Sequence, residues 1–115
     1  MKSTRVCLYF LLAALLVAAG AAAQTATSRI TGLVTDQSGA VVAGANVTLT
    51  NEATGVTYKT VSTDAGTYLF DALPSGNYTV QVEFQGFRTF RSRNNVLSVG
   101  VPLTVNARFF RLRKP

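Results

Sequence analysis

Histidine and tryptophan are absent from this sequence, and cysteine and methionine occur once each. The single thiol, Cys7, has no partner, so no disulfide can form within the chain. Without histidine, the Ser–His and Cys–His pairs of nucleophilic catalysis and the His/Cys sets that hold zinc cannot be assembled. Acids are few: Asp36, Glu52, Asp64, Asp71 and Glu83. Four fall in expected turns and Glu83 lies on the exposed face of an expected strand. Solvated carboxylates are the default at such positions, whereas a glycosidase needs two that face each other. The chain is therefore expected not to be an enzyme, and it implies no metal and no cofactor. Helical periodicity is missing as well, because no window after residue 23 repeats its apolar residues at 3.6 positions.

What is present begins with a leader. Lys2 and Arg5 precede the apolar run Cys7 to Ala19, and Ala21-Ala22-Ala23 supplies small residues before Gln24. This is the pattern of a secretory signal peptide over residues 1–23, cut at Ala23/Gln24. The run is shorter than the roughly 20 apolar residues that a membrane-spanning helix requires, so no transmembrane segment is expected after cleavage. Cleavage leaves 92 of the 115 residues and removes Cys7 with two of the eleven cations. Nine Lys and Arg then face five acids, a net charge of +4, and Arg108, Arg111, Arg113 and Lys114 crowd the last eight positions. A thiol-free exported domain of this size has to be held by its own apolar core.

Residues 24–28 read as a short polar leader, 29–112 as one domain and 113–115 as a basic tail. Within the domain, short runs of alternating character are separated by turns that contain glycine. Expected strands cover Arg29–Thr35, Ala45–Asn51, Val56–Thr63, Thr67–Phe70, Asn77–Phe84, Phe87–Arg91 and Leu103–Phe109. Tyr78, Val80, Val82 and Phe84 fall on one face of the fifth, and Leu103, Val105, Ala107 and Phe109 on one face of the seventh. Ser92 to Pro102 reads as a loop or a short strand at Val96–Val99. Seven short strands about ten residues apart, with turns between them, predict an all-β, seven-stranded Greek-key sandwich.

The runs ITGLVTDQSGAVVAGANVTLTNEATGV and TDAGTYLFDALPSGNYTVQVEFQGFRTF are similar to the carboxypeptidase regulatory-like domain. That family is a transthyretin-like, carbohydrate-binding-like β-sandwich. The similarity is strongest to the copy that follows the signal peptide of TonB-dependent, Oar-like outer-membrane proteins. The resemblance implies a non-catalytic module in the periplasm or at the outer membrane, with an unknown protein or glycan partner in the cell envelope. Two positions depart from the family pattern, Ala43 in place of proline and Thr63 in place of aspartate, and each is expected to loosen a turn slightly.

Candidate contact residues are those the alternation does not assign to the core. Tyr58, Phe87, Phe90 and Phe110 are the aromatics available for a platform, and Arg88 and Arg91 are the cations beside them. A weak glycan-binding site built on Tyr58 and the Phe87/Phe90 region is the alternative to a module that presents loops or an edge strand. The arginines lack the aromatic pattern of an RNA-binding motif, and nucleic acid is not an expected partner. Anionic envelope material suits them better.

Overall fold

The structure, a computed structural model, describes residues 26–112. The expected signal peptide, the start of the expected leader and the basic residues 113–115 lie outside the described residues. Two four-stranded sheets face each other, and no helix occurs among the described residues. The strands are β1 (Ser28–Thr35), β2 (Asn46–Asn51), β3 (Thr57–Val61), β4 (Thr67–Leu73), β5 (Gly76–Glu83), β6 (Phe90–Leu97), β7 (Leu103–Thr104) and β8 (Ala107–Arg108). One sheet runs β3-β2-β5-β6, and the other places β1 between β4 and the pair β7 and β8. This is the expected all-β Greek-key sandwich, with β7 and β8 raising the number of strands to eight.

Alternation explains the core. From β1 come Ile30 and Val34, from β2 Val47 and Leu49, from β4 Tyr68, Phe70 and Leu73, and from β5 Tyr78, Val80 and Val82; all are buried between the sheets. Each branched or aromatic side chain of this set contributes on the order of 1.5–3 kcal/mol by leaving water. The polar groups that are carried inside are paired. Ser62 accepts from the Ala45 amide at 2.9 Å and donates to the Val42 carbonyl at 2.7 Å. Among the described residues no buried side-chain nitrogen or oxygen lacks a partner. Thr63 keeps its turn closed despite replacing aspartate: its carbonyl accepts from the Gly66 amide, and its hydroxyl meets that of Thr67 at 2.8 Å.

Several expectations need correction. The strand expected at Phe87–Arg91 lies instead at Phe90–Leu97, because β5 offers a full antiparallel ladder from Val82↔Phe90 to Gly76↔Leu97. A register shift between Tyr78 and Val80 opposes Asn94, whose φ is 58°, and lets the polar run Arg91–Asn95 remain a strand without alternating cleanly. The loop therefore shrinks to the turn around Gly100, where Val99 and Val101 are exposed. The strand expected at Leu103–Phe109 is broken in two, although Val105, Ala107 and Phe109 are buried as its parity requires. Phe84 is not a core residue: β5 ends at Glu83, and the ring beyond it is 37% exposed. Asp71 lies within β4 rather than in a turn.

The break between β7 and β8 is bridged by side-chain chemistry. Val105 N donates to the Thr31 carbonyl at 2.8 Å, and Phe109 N to that of Thr35 at 2.7 Å. Between them the Leu33 amide finds no backbone acceptor and donates to Asn106 Oδ1 at 3.0 Å. Both short strands run parallel to β1, with Ile30 opposite Leu103 and Val34 opposite Ala107. The first strand and the last segment thus lie side by side and point the same way. The chain joins the sandwich at Ser28, next to Val101, and leaves it at the far end, where the Leu112 amide donates to the Gly86 carbonyl. An eight-residue strand separates those ends by roughly 23 Å.

Candidate functional site

At the end where the chain leaves, three segments converge. The turn after β1 brings Asp36 and Gln37, the loop after β5 brings Phe84, Phe87 and Arg88, and the segment after β8 brings Phe110, Arg111 and Leu112. Backbone pairing holds them together: Phe87 and Arg111 form an antiparallel bridge, and the Arg88 amide donates to the Phe110 carbonyl at 2.9 Å. Inward, Phe87 stacks on the fully buried Phe109 with ring centroids 5.2 Å apart, and on its other side it meets Phe84 at 6.0 Å. Outward, Phe110 is 53% and Leu112 56% exposed.

Three cations surround these apolar groups. Arg88, Arg108 and Arg111 are all exposed, and the Arg108 guanidinium lies 6.0 Å from the centre of the Phe110 ring, at the limit of a cation–π contact. Arg108 also donates to the Gln37 carbonyl at 2.6 Å, which fixes its stem over the Asp36 turn. Asp36 is the acid at this end. Its carboxylate accepts from the Ser38 hydroxyl at 2.6 Å and from the Ser38 and Ala40 amides, and these bonds hold its pKa below the ordinary carboxylate range, with a smaller contribution from Arg111. Its one negative charge stands against three arginines, which leaves this end net positive.

The six residues singled out in the sequence do not form one site. Phe87, Arg88 and Phe110 meet at this end, although Phe87 is half-buried and serves mainly as the packing link to Phe109. Arg91 lies on the outer face of the β3-β2-β5-β6 sheet, where its Nε and Nη2 donate to Gln81 Oε1 at 3.0 and 2.7 Å. Tyr58 stands opposite Leu49 on edge strand β3, and Phe90 opposite Val82 on edge strand β6. Three strand spacings, roughly 14 Å, separate those two half-buried rings. Arg108, Gln37 and Leu112 join the cluster through pairings between positions 71 and 26 residues apart, which periodicity cannot reveal. The usable signal in the sequence was parity: with Phe109 inward, its neighbours Arg108 and Phe110 face out.

Two other surfaces have defined geometry. On the outer face of the same sheet Glu52 accepts from the Thr79 hydroxyl at 2.8 Å and the Asn94 amide at 2.9 Å, and these bonds lower its pKa. On the other sheet, Thr31, Leu33, Thr67, Leu69, Thr104 and Asn106 line a shallow, mostly apolar depression. Among the described residues no three His, Cys, Asp or Glu side chains come together as metal ligands, and no helix is long and apolar enough to cross a membrane.

The sequence profile of the carboxypeptidase regulatory-like domain matches residues 29–109, and the chain belongs to this family. No curated protein matches it in sequence. Solved structures share its fold. The Bacillus anthracis TIE protein superposes with a TM-score of 0.61 at 15% identity, over 76% of this chain and 17% of its own. A candidate carbohydrate-binding protein of Bacteroides uniformis gives 0.59 at 20% identity, over 72% of this chain and 41% of its own. Catechol 1,2-dioxygenase of Acinetobacter radioresistens gives 0.65 at 11% identity, over 81% of this chain and 54% of its own. The chain thus spans about half or less of the length of these three proteins. At such identities the likeness is one of fold alone.

Proposed function

We propose that this chain is an exported, non-catalytic sandwich that acts in the cell envelope as an in-line spacer and interaction module, related to the N-terminal domain of TonB-dependent receptor-like outer-membrane proteins. The observation that carries the spacer role is the parallel pairing of β1 with β7 and β8. It puts Ser28 and Leu112 at opposite ends, so the sandwich adds its full length to whatever it joins. Terminal strands paired antiparallel would bring both junctions to one end. The signal-peptide pattern of residues 1–23 and the family resemblance support the envelope location. Fractionation with N-terminal sequencing tests it: the expected product begins at Gln24 in the periplasmic or outer-membrane fraction. A cytosolic protein that retains Met1 overturns the reading.

Weak glycan binding is the second reading, and it is favoured by the fold shared with the Bacteroides uniformis protein described as carbohydrate-binding. A platform joining Tyr58 to Phe90 is disfavoured by their places on opposite edges of one sheet. A glycan array read with Tyr58→Ala and Phe90→Ala variants decides it, since this reading requires binding that depends on those rings.

A further inference from the structure

We infer that the end at which the chain leaves the sandwich is a docking surface for an anionic lipid bilayer. Phe110 and Leu112 project from it as exposed apolar groups, and Arg88, Arg108 and Arg111 ring them. This is the pairing of chemistries that a bilayer interface selects: apolar groups for the acyl boundary and guanidinium groups for the phosphates just above it. Charge points to the same occupant. Three exposed arginines stand at this end, and the sequence continues past Leu112 with two further cations, Arg113 and Lys114. Asp36, the nearby acid, is engaged by Ser38 and Ala40.

Among the described residues, no other surface sets large exposed apolar groups amid several cations. The outer face of the β3-β2-β5-β6 sheet carries Lys59, Arg91 and Arg93, but its exposed apolar groups, Val61 and Val96, are small and stand on opposite edge strands with Thr48, Thr50, Thr79 and Gln81 between them. The depression on the other sheet is apolar and has one cation, Arg29. The backbone at the proposed surface is also fixed, through the Phe87–Arg111 bridge, the Arg88–Phe110 hydrogen bond and the stack of Phe87 on Phe109. The exposed side chains are therefore held in place before contact, which reduces the ordering cost of binding.

This inference takes its biological setting from the envelope location proposed above, but its test needs only the purified chain, so the two fail separately. The mature protein is sedimented with vesicles of phosphatidylglycerol and phosphatidylcholine in equal parts, and with vesicles of phosphatidylcholine alone. Binding to the anionic vesicles that weakens with salt is expected. Arg88→Gln with Arg111→Gln should lower the partition coefficient about 25-fold, since each cation near an anionic surface is worth about fivefold. Arg88→Lys with Arg111→Lys should restore most of it. Phe110→Ser should weaken binding roughly tenfold through lost apolar burial, and Lys59→Gln on the distant face should change it little. Circular dichroism of each variant establishes that the fold is retained. Equal binding to both vesicles, no binding, or binding that Lys59→Gln weakens as much as the arginine pair would overturn the inference. So would binding to a glycan or an envelope protein that competes with the vesicles and ignores Phe110→Ser.

Discussion

Replacing Gly32 by alanine tests how β1 is held in its sheet. A Cβ at this position would fall on the carbonyl oxygen of Val105 and within 2.5 Å of the Tyr68 ring and hydroxyl. Neither obstacle is free to move. The Tyr68 side chain is buried and donates to that same Val105 carbonyl, and Val105 is tied to Thr31 by its own amide. Relief requires either moving the Val105 segment away from β1 or rotating Tyr68 out of the core. Overpacking of this kind costs about 1–3 kcal/mol, and losing the hydroxyl and amide hydrogen bonds adds about 1 kcal/mol each. The expected destabilisation is about 4 kcal/mol, a large part of the roughly 5–10 kcal/mol available to a domain of this size. Thermal unfolding followed by circular dichroism should show Tm falling by about 15–30 °C. Tyr68→Phe removes one of the clashing atoms, so the double variant should be less damaging than the sum of the single changes. A Gly32→Ala protein that melts within about 5 °C of the parent would refute the close approach of Val105 and Tyr68 to β1.

Four further outcomes rest on other contacts. Ser62→Ala strips the Ala45 amide and the Val42 carbonyl of their buried partner, and a loss of about 1–3 kcal/mol in urea unfolding is expected. Asp36 and Glu52 have folded pKa values below their unfolded ones, so their stabilisation is present above the ordinary carboxylate range and is lost as pH falls through the folded values. Urea midpoints should therefore decline below about pH 4, and less steeply in Asp36→Asn with Glu52→Gln. Burial raises the pKa of Tyr68 and Tyr78, which has the opposite sign: that stability is complete below the ordinary tyrosine value and is lost at higher pH. Tyr68→Phe should accordingly lessen the decline above about pH 10. In single-molecule pulling, attachment through Thr27→Cys and Leu112→Cys loads the β1–β7/β8 bonds in shear. That geometry should resist more force than attachment through Lys59→Cys and Arg93→Cys, which peels edge strands apart; equal forces would contradict the parallel register.

The fold was legible wherever burial alone decides the conformation. Tyr78, Val80 and Val82 alternate with polar residues because β5 has one dry face, and that pattern needs no knowledge of its neighbours. Phe84 continues the pattern but lies beyond the last ladder pair, so parity overstated its burial. β6 begins three residues later than alternation predicts because its identity as a strand comes from the ladder of β5 and not from its own residues Arg91, Arg93, Asn94 and Asn95. The break between β7 and β8 was hidden for a related reason: the Asn106 side chain takes the place of a backbone acceptor, and nothing local marks an asparagine for that role. The candidate site was legible only in part. Phe87, Arg88 and Phe110 could be singled out as residues without a core assignment, but their meeting depends on the pairing of residues 86–88 with 110–112.

The position of β1 also sets an order in time. It is among the first segments of the domain to be synthesised and the central strand of its sheet, yet one of its two edges is satisfied only by residues 103–109. Until those residues are available, the Thr31 and Thr35 carbonyls and the Leu33 amide have no protein partner, and one side of the core lacks Val105, Ala107 and Phe109. Such non-local closure makes folding slow and late. A polypeptide that cannot complete the sheet around β1 until nearly all of the domain has been made reaches its folded state only at the end of its synthesis.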